Sequence, residues 1–354
     1  MPHYGWYYLT YLLPALVAWG IYAGGWLLWL APLWTFILVP IYDHLRGTEQ
    51  GNVEPEQEAA YSSDIGYNLV VWLWPFLQAG LLAAAFARIY VGGFAFWELV
   101  AMTFSVGIIT GAVGITWAHE LCHRTNVVER ALAEITLYMV SYPHFAVEHV
   151  YGHHKNVATP KDPATSRLGE SFYKFYFRCV WGSLRSAWQI EAQQMKKKRR
   201  AVLHYSNRMV RYLVVQVLLY AAVYYLFGVT GLVFFAVQSI VAFTLLELIN
   251  YLEHYGLLRK VNDQGRYETV RPWHSWNSSH IVSNLSLINL ARHSDHHFRA
   301  SRRYQILRHF DEAPQLPSGY SAMLVLALVP PLWFRVMNPR VREWRKTHEV
   351  PIEA

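Results

Sequence analysis

Six stretches of mostly apolar sequence, each near the length of a bilayer-spanning helix, constrain this chain more than any other feature. A transmembrane helix needs roughly 20 predominantly apolar residues. Such stretches lie near residues 7–24, 26–43, 67–90, 95–118, 211–228 and 231–252. The first two form one long run, divided at Gly24-Gly25. Length alone would argue for two soluble domains, but a chain of 354 residues that is 54% apolar, with its apolar residues in long blocks, reads as an all-α integral membrane protein. A seventh apolar segment, Ser321 to Phe334, is broken by Pro330-Pro331 and reads as interfacial or packed on the domain outside the spans.

Charge sets the expected orientation. Of 31 Lys and Arg residues, 29 lie at or after Arg124; the others are Arg46 and Arg88. By the positive-inside rule, six spans with both termini cytoplasmic put Gly24-Gly25, the turn near Val91–Gly93 and Gly228–Gly231 outside. All the large polar segments then face the cytoplasm, including the loop from Arg46 to Ser63 with its short surface helix. Met1 to Tyr8 carries no Lys or Arg, which argues against a cleavable signal peptide. The net charge of +7 is explained by cytoplasmic flanks and does not call for nucleic acid. The run from Lys196 to Arg200 fits charge beside anionic lipid or a docking surface for an acidic protein. Cys122 and Cys179 are too few for a four-cysteine metal centre, and disulfides are not expected in a reducing compartment.

Nine histidines crowd the segments that follow these runs. They are His119 and His123; His149, His153 and His154; His254; and His293, His296 and His297. Residues three or four apart share a helix face, so each cluster can aim two or more imidazoles at one point. The fourth and sixth apolar runs lead directly into His119 and His254, placing all nine at the same face of the membrane. His3, His44, His204, His309 and His348 read as capping or interfacial residues. His144, His274 and His280 sit near the clusters and suit supporting or structural roles.

Imidazole suits Zn, Cu, Fe and Ni alike, so the number of ligands is more informative. Zinc usually takes four, and catalytic zinc three plus water. Nine histidines match two ions with open positions, best a dinuclear iron centre that activates dioxygen. Glu120, Glu148, Asp162, Glu253 and Asp295 adjoin the histidines and are candidates to orient them from outside; each could instead cap a helix or pair with an arginine. The motif His119-Glu-Leu-Cys-His123 also imitates the zinc-protease helix, but that reading leaves the other clusters and His254 unexplained. A metal transporter would place its histidines near the bilayer midplane, not at one end of the spans.

Three boxes, His119-Glu-Leu-Cys-His-Arg124, Glu148-His-Val-Tyr-Gly-His-His154 and Leu290-Ala-Arg-His-Ser-Asp-His-His297, together resemble those of the integral-membrane non-haem diiron alkane monooxygenases. That family is related to xylene-type monooxygenases and fatty-acid desaturases. Asn250-Tyr-Leu-Glu-His-Tyr-Gly-Leu257 narrows the resemblance, since general desaturases lack it. The flanks Asn156–Ala164, Arg303–Arg308 and Leu316–Tyr320 agree. Cys122, Arg124, Val150-Tyr151 and Ala291 depart from the usual pattern, and none removes a histidine.

The resemblance implies six transmembrane helices under a mainly helical cytoplasmic cap, in a bacterial inner membrane. Residues 1–118 would hold helices one to four, 119–210 boxes one and two, 211–252 helices five and six, and 253–354 His254 and box three. It implies that the nine histidines bind two iron ions, and that O2 and NAD(P)H-derived electrons hydroxylate the terminal carbon of a medium-chain alkane. A rubredoxin-type carrier and its reductase would supply the electrons. The substrate would enter from the lipid, with Trp34, Phe36, Trp72 and Trp74 as candidate channel walls. The alternatives are a xylene-type side-chain hydroxylase and a membrane fatty-acid desaturase or hydroxylase. No haem-attachment or Gly-rich nucleotide motif is present, so electrons must come from another protein.

Overall fold

The computed structural model describes residues 3–350. Among them helix dominates; there is no β-strand, only the isolated bridges Thr48–His280, Val261–Tyr267 and Asn277–Gln315. Among the described residues four helices are long and apolar enough to cross a membrane: Gly25–Arg46, Ile65–Val91, Phe96–Cys122 and Arg208–His254. In lipid every backbone N–H and C=O must be paired within the segment, which selects helices for such sequence.

The Arg208–His254 helix has 47 residues. At about 1.5 Å per residue it would be about 70 Å long if straight, over twice a bilayer core of roughly 30 Å. It is not straight. Gly228 adopts φ +63°, a left-handed conformation that glycine enters without a Cβ clash. The two arms double back there: Tyr220 packs its ring 5.2 Å from that of Phe235, and Ser141 Oγ lies 3.0 Å from Tyr220 Oη and 3.1 Å from Ser239 Oγ. The hairpin turns where the sequence placed one between residues 228 and 231.

The first apolar stretch is helical over 4–23 but alternates between α and 3-10 geometry, its longest α-helix being Leu12–Ala23. Its beginning is tied to the C-terminal part of the chain. Tyr7 is fully buried, edge-on to Tyr304 at 5.2 Å, and receives a 2.6 Å hydrogen bond from Asn289 Nδ2. The Ser321 to Phe334 segment is a bent pair, Tyr320–Ala327 and Pro330–Thr347, meeting at 119°. Trp333 is buried there against Tyr251 and Tyr255, so this pair packs on the histidine-bearing end of the Arg208–His254 helix.

Turns gather at the opposite end. Glu98 accepts from Gly25 N at 2.7 Å and from Ala95 N at 2.8 Å, joining two of them through one carboxylate. Phe86 stacks on Phe227 at 4.5 Å, beside the third. The Phe96–Cys122 helix packs closely on the hairpin: a Cβ on Gly111 would lie 2.7 Å from the Ala242 carbonyl oxygen. The polar loop after Arg46 holds the helix Glu58–Ser63, and Glu58 pairs with Arg308 at 2.6 Å. The loop thus straps the segment that carries box three.

Candidate metal centre

Each histidine sits at an element end or on a short turn where the backbone can aim it. His119 lies in the last turn of the Phe96–Cys122 helix and His123 caps it. His254 ends the Arg208–His254 helix. Box two falls on a π-turn, His149–His153, and box three on the short helix His293–Phe298. A π-turn is wider than an α-turn and brings residues five apart into line.

The nine histidines form two groups, and within each group one ring nitrogen per residue lies within 4.8 Å of all the others. His119, His123, His149, His154 and His296 make the first; His153, His254, His293 and His297 make the second. In the first group, His149 Nε2 lies 3.1 Å from His123 Nε2 and 3.0 Å from His154 Nε2, and His154 Nε2 lies 2.9 Å from His296 Nε2. In the second, His297 Nε2 lies 3.1 Å from His153 Nε2 and 2.8 Å from His293 Nε2, with His254 Nε2 3.3 Å from His293 Nε2. Boxes two and three each contribute to both groups.

Hydrogen bonding among the rings does not account for these contacts. A ring nitrogen carries either a proton or a lone pair, so His149 Nε2 cannot donate to one neighbour and accept from the next. His119 has both ring nitrogens buried without a partner. A shared cation resolves both problems. With metal–nitrogen bonds of about 2.0–2.1 Å, neighbouring ligand nitrogens stand about 3 Å apart, as they do here. The protonation states agree: burial, reinforced by neighbouring histidines, holds His149, His154, His293, His296 and His297 well below the usual histidine range. Burial holds His123 down to about 3. Neutral imidazole is the form that binds metal. The residues therefore fit two metal ions.

The neighbouring acids differ in what they touch. Asp162 Oδ2 is 2.9 Å from His153 Nδ1 and is itself fixed by Thr165 Oγ1 at 2.6 Å. Burial lowers the His153 pKa, but Asp162 outweighs it and the net shift is upward. Glu253 Oε2 is 3.1 Å from His293 Nε2, while Tyr320 donates to its other oxygen at 2.8 Å. Glu120 pairs with Arg124 at 2.6 Å, and Asp295 with Arg302 at 2.6 Å. Glu148 Oε1 is buried without a hydrogen-bond partner; burial and nearby Asp162 push this carboxyl up to about 8.

Among the remaining histidines, His3 caps a helix by accepting from Gly5 N, His204 bonds Ser206, and His348 bonds the Trp344 carbonyl. His274 pairs with Glu268, His280 with Ser278 and His309 with Ser279. His144 lies against the Tyr142 ring at 4.2 Å with its Nε2 unpartnered. Sequence reading did not single out Phe145, which stacks on His149 at 4.6 Å, nor the buried Glu247. An acid inside an apolar run, upstream of His254, is the signal that marks Glu247.

The family model for fatty acid desaturases matches residues 95–327. Alkane 1-monooxygenase 2 of Pseudomonas aeruginosa is 42% identical over 318 residues, covering 89% of this chain and 84% of that protein. Alkane 1-monooxygenase of Pseudomonas putida is 41% identical over 330 residues, covering 92% and 80%. The hydroxylase component of a xylene/toluene monooxygenase from Pseudomonas putida is 28% identical over 351 residues, covering 97% and 91%. With apolar helices that end in two convergent histidine groups, and with identity of this extent over most of its length, the chain belongs to the alkane 1-monooxygenase family.

Proposed function

We propose that this protein is a membrane diiron monooxygenase that hydroxylates the terminal carbon of medium-chain alkanes. The observation that carries the reading is the division of nine buried or half-buried histidines into groups of five and four at one end of the apolar helices. His119, His123, His149, His154 and His296 would hold one iron, and His153, His254, His293 and His297 the other. Bound there, the irons would supply the reduction of O2 and the attack on an unactivated C–H bond.

The chain's own residues perform the remaining tasks. Asp162 fixes the His153 ring through its Nδ1, keeping Nε2 turned toward the second group. Tyr320, bonded to Glu253, and Trp333, packed on Tyr251 and Tyr255, are both fully buried and keep water from the end of the helix that carries His254. An alkane partitions into lipid and reaches the histidines from between the spans, chain end first. Orienting that end is the protein's largest contribution to selectivity. Electrons come from a rubredoxin-type carrier, fed by an NAD(P)H-dependent reductase, docking on the basic face that the positive-inside rule assigns to the cytoplasm of a bacterial inner membrane.

The match to a xylene/toluene monooxygenase component over 97% of the chain favours one second reading, hydroxylation of an aromatic methyl group. Metal analysis, followed by a reconstituted assay with carrier, reductase, n-alkanes and methylbenzenes, tests both. Two irons per chain and 1-alkanol product support the first. Zinc alone, or an alkene from a fatty-acyl substrate, would overturn it.

A further inference from the structure

Behind His149 and His153 the protein encloses a cavity of about 10 Å³, close to the smallest that admits a water. Its polar wall is Tyr142, His144, Glu148, Ser183, Glu247 and Asn250. Two buried atoms of these residues, Glu148 Oε1 and His144 Nε2, have no hydrogen-bond partner in the protein. A void of this size between orphaned polar atoms is the usual setting of an ordered water.

Of the two carboxylates that line this cavity, Glu247 is the one with hydrogen bonds at both oxygens. It is 2% exposed and lies inside the apolar Arg208–His254 helix, where an ionisable group is costly and generally functional. Asp162 is committed to His153, Glu253 to His293 and Tyr320, and Glu120 to Arg124. Glu247 is held by uncharged partners: Tyr142 Oη donates to Oε1 at 2.7 Å and Asn250 Nδ2 to Oε2 at 3.4 Å. Glu247, Asn250 and His254 follow an i, i+3, i+7 spacing and so share one helix face.

We propose that this cavity holds a water and that Glu247, positioned by Tyr142 and Asn250, passes protons through it to the space between the two histidine groups. The inference rests on the monooxygenase reading above, in which RH, O2, two electrons and two protons become ROH and H2O. The electrons come from the carrier protein. The protons must enter a site walled by buried side chains. In each transfer the Glu247 O–H bond breaks and its electron pair stays on the carboxylate. The cavity water accepts that proton and releases one of its own to the oxygen that leaves as product water. A proton that originates in bulk water must restore Glu247 before the second transfer. Glu247 acts through the water, so it is a relay residue and not a catalytic one.

The test uses the full-length, iron-loaded protein in membranes with its carrier and reductase. Glu247→Gln is expected to keep its iron, to lose roughly 10²-fold in alcohol formation, to divert reductant into hydrogen peroxide, and to show an altered solvent isotope effect. Glu247→Asp should recover part of the loss, and Tyr142→Phe should show the same changes at smaller size. Infrared spectroscopy supplies a readout independent of turnover: a buried carboxylic-acid carbonyl band, shifted in D2O and missing from Glu247→Gln. Wild-type coupling and isotope effect in Glu247→Gln, or no such band, would overturn the relay. If Glu247→Gln does not fold, an unchanged isotope effect in Tyr142→Phe overturns it instead. Failure of the monooxygenase reading is seen separately, as an unsubstituted protein that makes no alcohol, and would remove both.

Discussion

His154 Nε2 stands 2.9 Å from His296 Nε2, although 142 positions separate them, and the adjacent residues His153 and His297 pair in the same way at 3.1 Å. Two neighbouring histidines in one segment thus meet two in another, and each pair closes a different group. Neither group exists until the segment after the fourth apolar run docks on the C-terminal segment. Assembly of the site therefore requires that these two segments have docked.

This pairing makes loss of metal non-additive in a defined pattern. His154→Ala and His296→Ala remove donors from the same group, so the double variant should retain as much iron as the worse single one. His154→Ala combined with His297→Ala strikes both groups and should retain less iron than either parent. Metal analysis of the purified variants checks this. Equal iron in the two double variants would contradict the division into separate groups.

Asp162→Asn should weaken the second group selectively. The carboxylate accepts from His153 Nδ1 at 2.9 Å, and outer partners of this kind are typically worth roughly 10- to 100-fold in metal affinity. Chelator competition should therefore show one iron leaving more readily than the other. Glu120→Gln is the contrast, because Glu120 is engaged by Arg124 and not by a histidine ring.

Much of this architecture is legible in the sequence, because bilayer thickness and imidazole chemistry each leave a simple trace. The apolar runs announce the helices, Gly228 falls in the expected turn, and all nine histidines converge. Their allocation is not legible. An α-helical period pairs His149 with His153, whereas the π-turn aligns His149 with His154 and sends His153 to the other group. The acids were equal candidates as sequence neighbours, yet only Asp162 bonds a histidine Nδ1, while Glu120 and Asp295 go to arginines. The choice depends on which side chain tertiary packing brings near. The interruption of the first apolar stretch by 3-10 geometry has no counterpart in its composition.

Acid should destabilise the protein and release its metal in one window. Burial holds His123 down to about 3, and burial with neighbouring charge holds His149, His154, His293, His296 and His297 well below their ordinary value. Unfolded, each would titrate near about 6.5. For a histidine depressed by folding, the stabilisation is complete above the unfolded value and is lost as pH falls toward the folded one. His153 runs the other way because of Asp162, but it is one against six. The thermal midpoint of the metal-free protein should fall steadily below pH about 6.5, and decline more gently on the alkaline side, where Glu148, pushed up to about 8, and the raised His153 give up the protons they hold in the folded state. Iron should dissociate over the same range, as protons compete for the ligands. A midpoint independent of pH in that acid range would show that these rings are not buried neutral.

The helix Phe172–Lys197 leads into a run of five cations, Lys196 to Arg200, all exposed, of which Arg200 donates to Ser206 Oγ. Just beyond it, Arg208 is locked to buried Glu191 at 2.7 Å, which gives the basic turn a rigid base. An acidic electron carrier would be steered to such a surface, with an attraction that fades as salt shortens a screening length of about 10 Å at 0.1 M. Reversing Lys196, Lys197 and Lys198 to Glu should raise the carrier concentration needed for half-maximal turnover and flatten the dependence on salt. Iron content should not change, since none of the three touches a histidine of either group. Stopped-flow reduction by the carrier at several ionic strengths, against a small uncharged reductant as control, measures this. Unchanged rates and salt dependence with the carrier would exclude this run as the docking site and leave it the role of holding the helix end against anionic lipid.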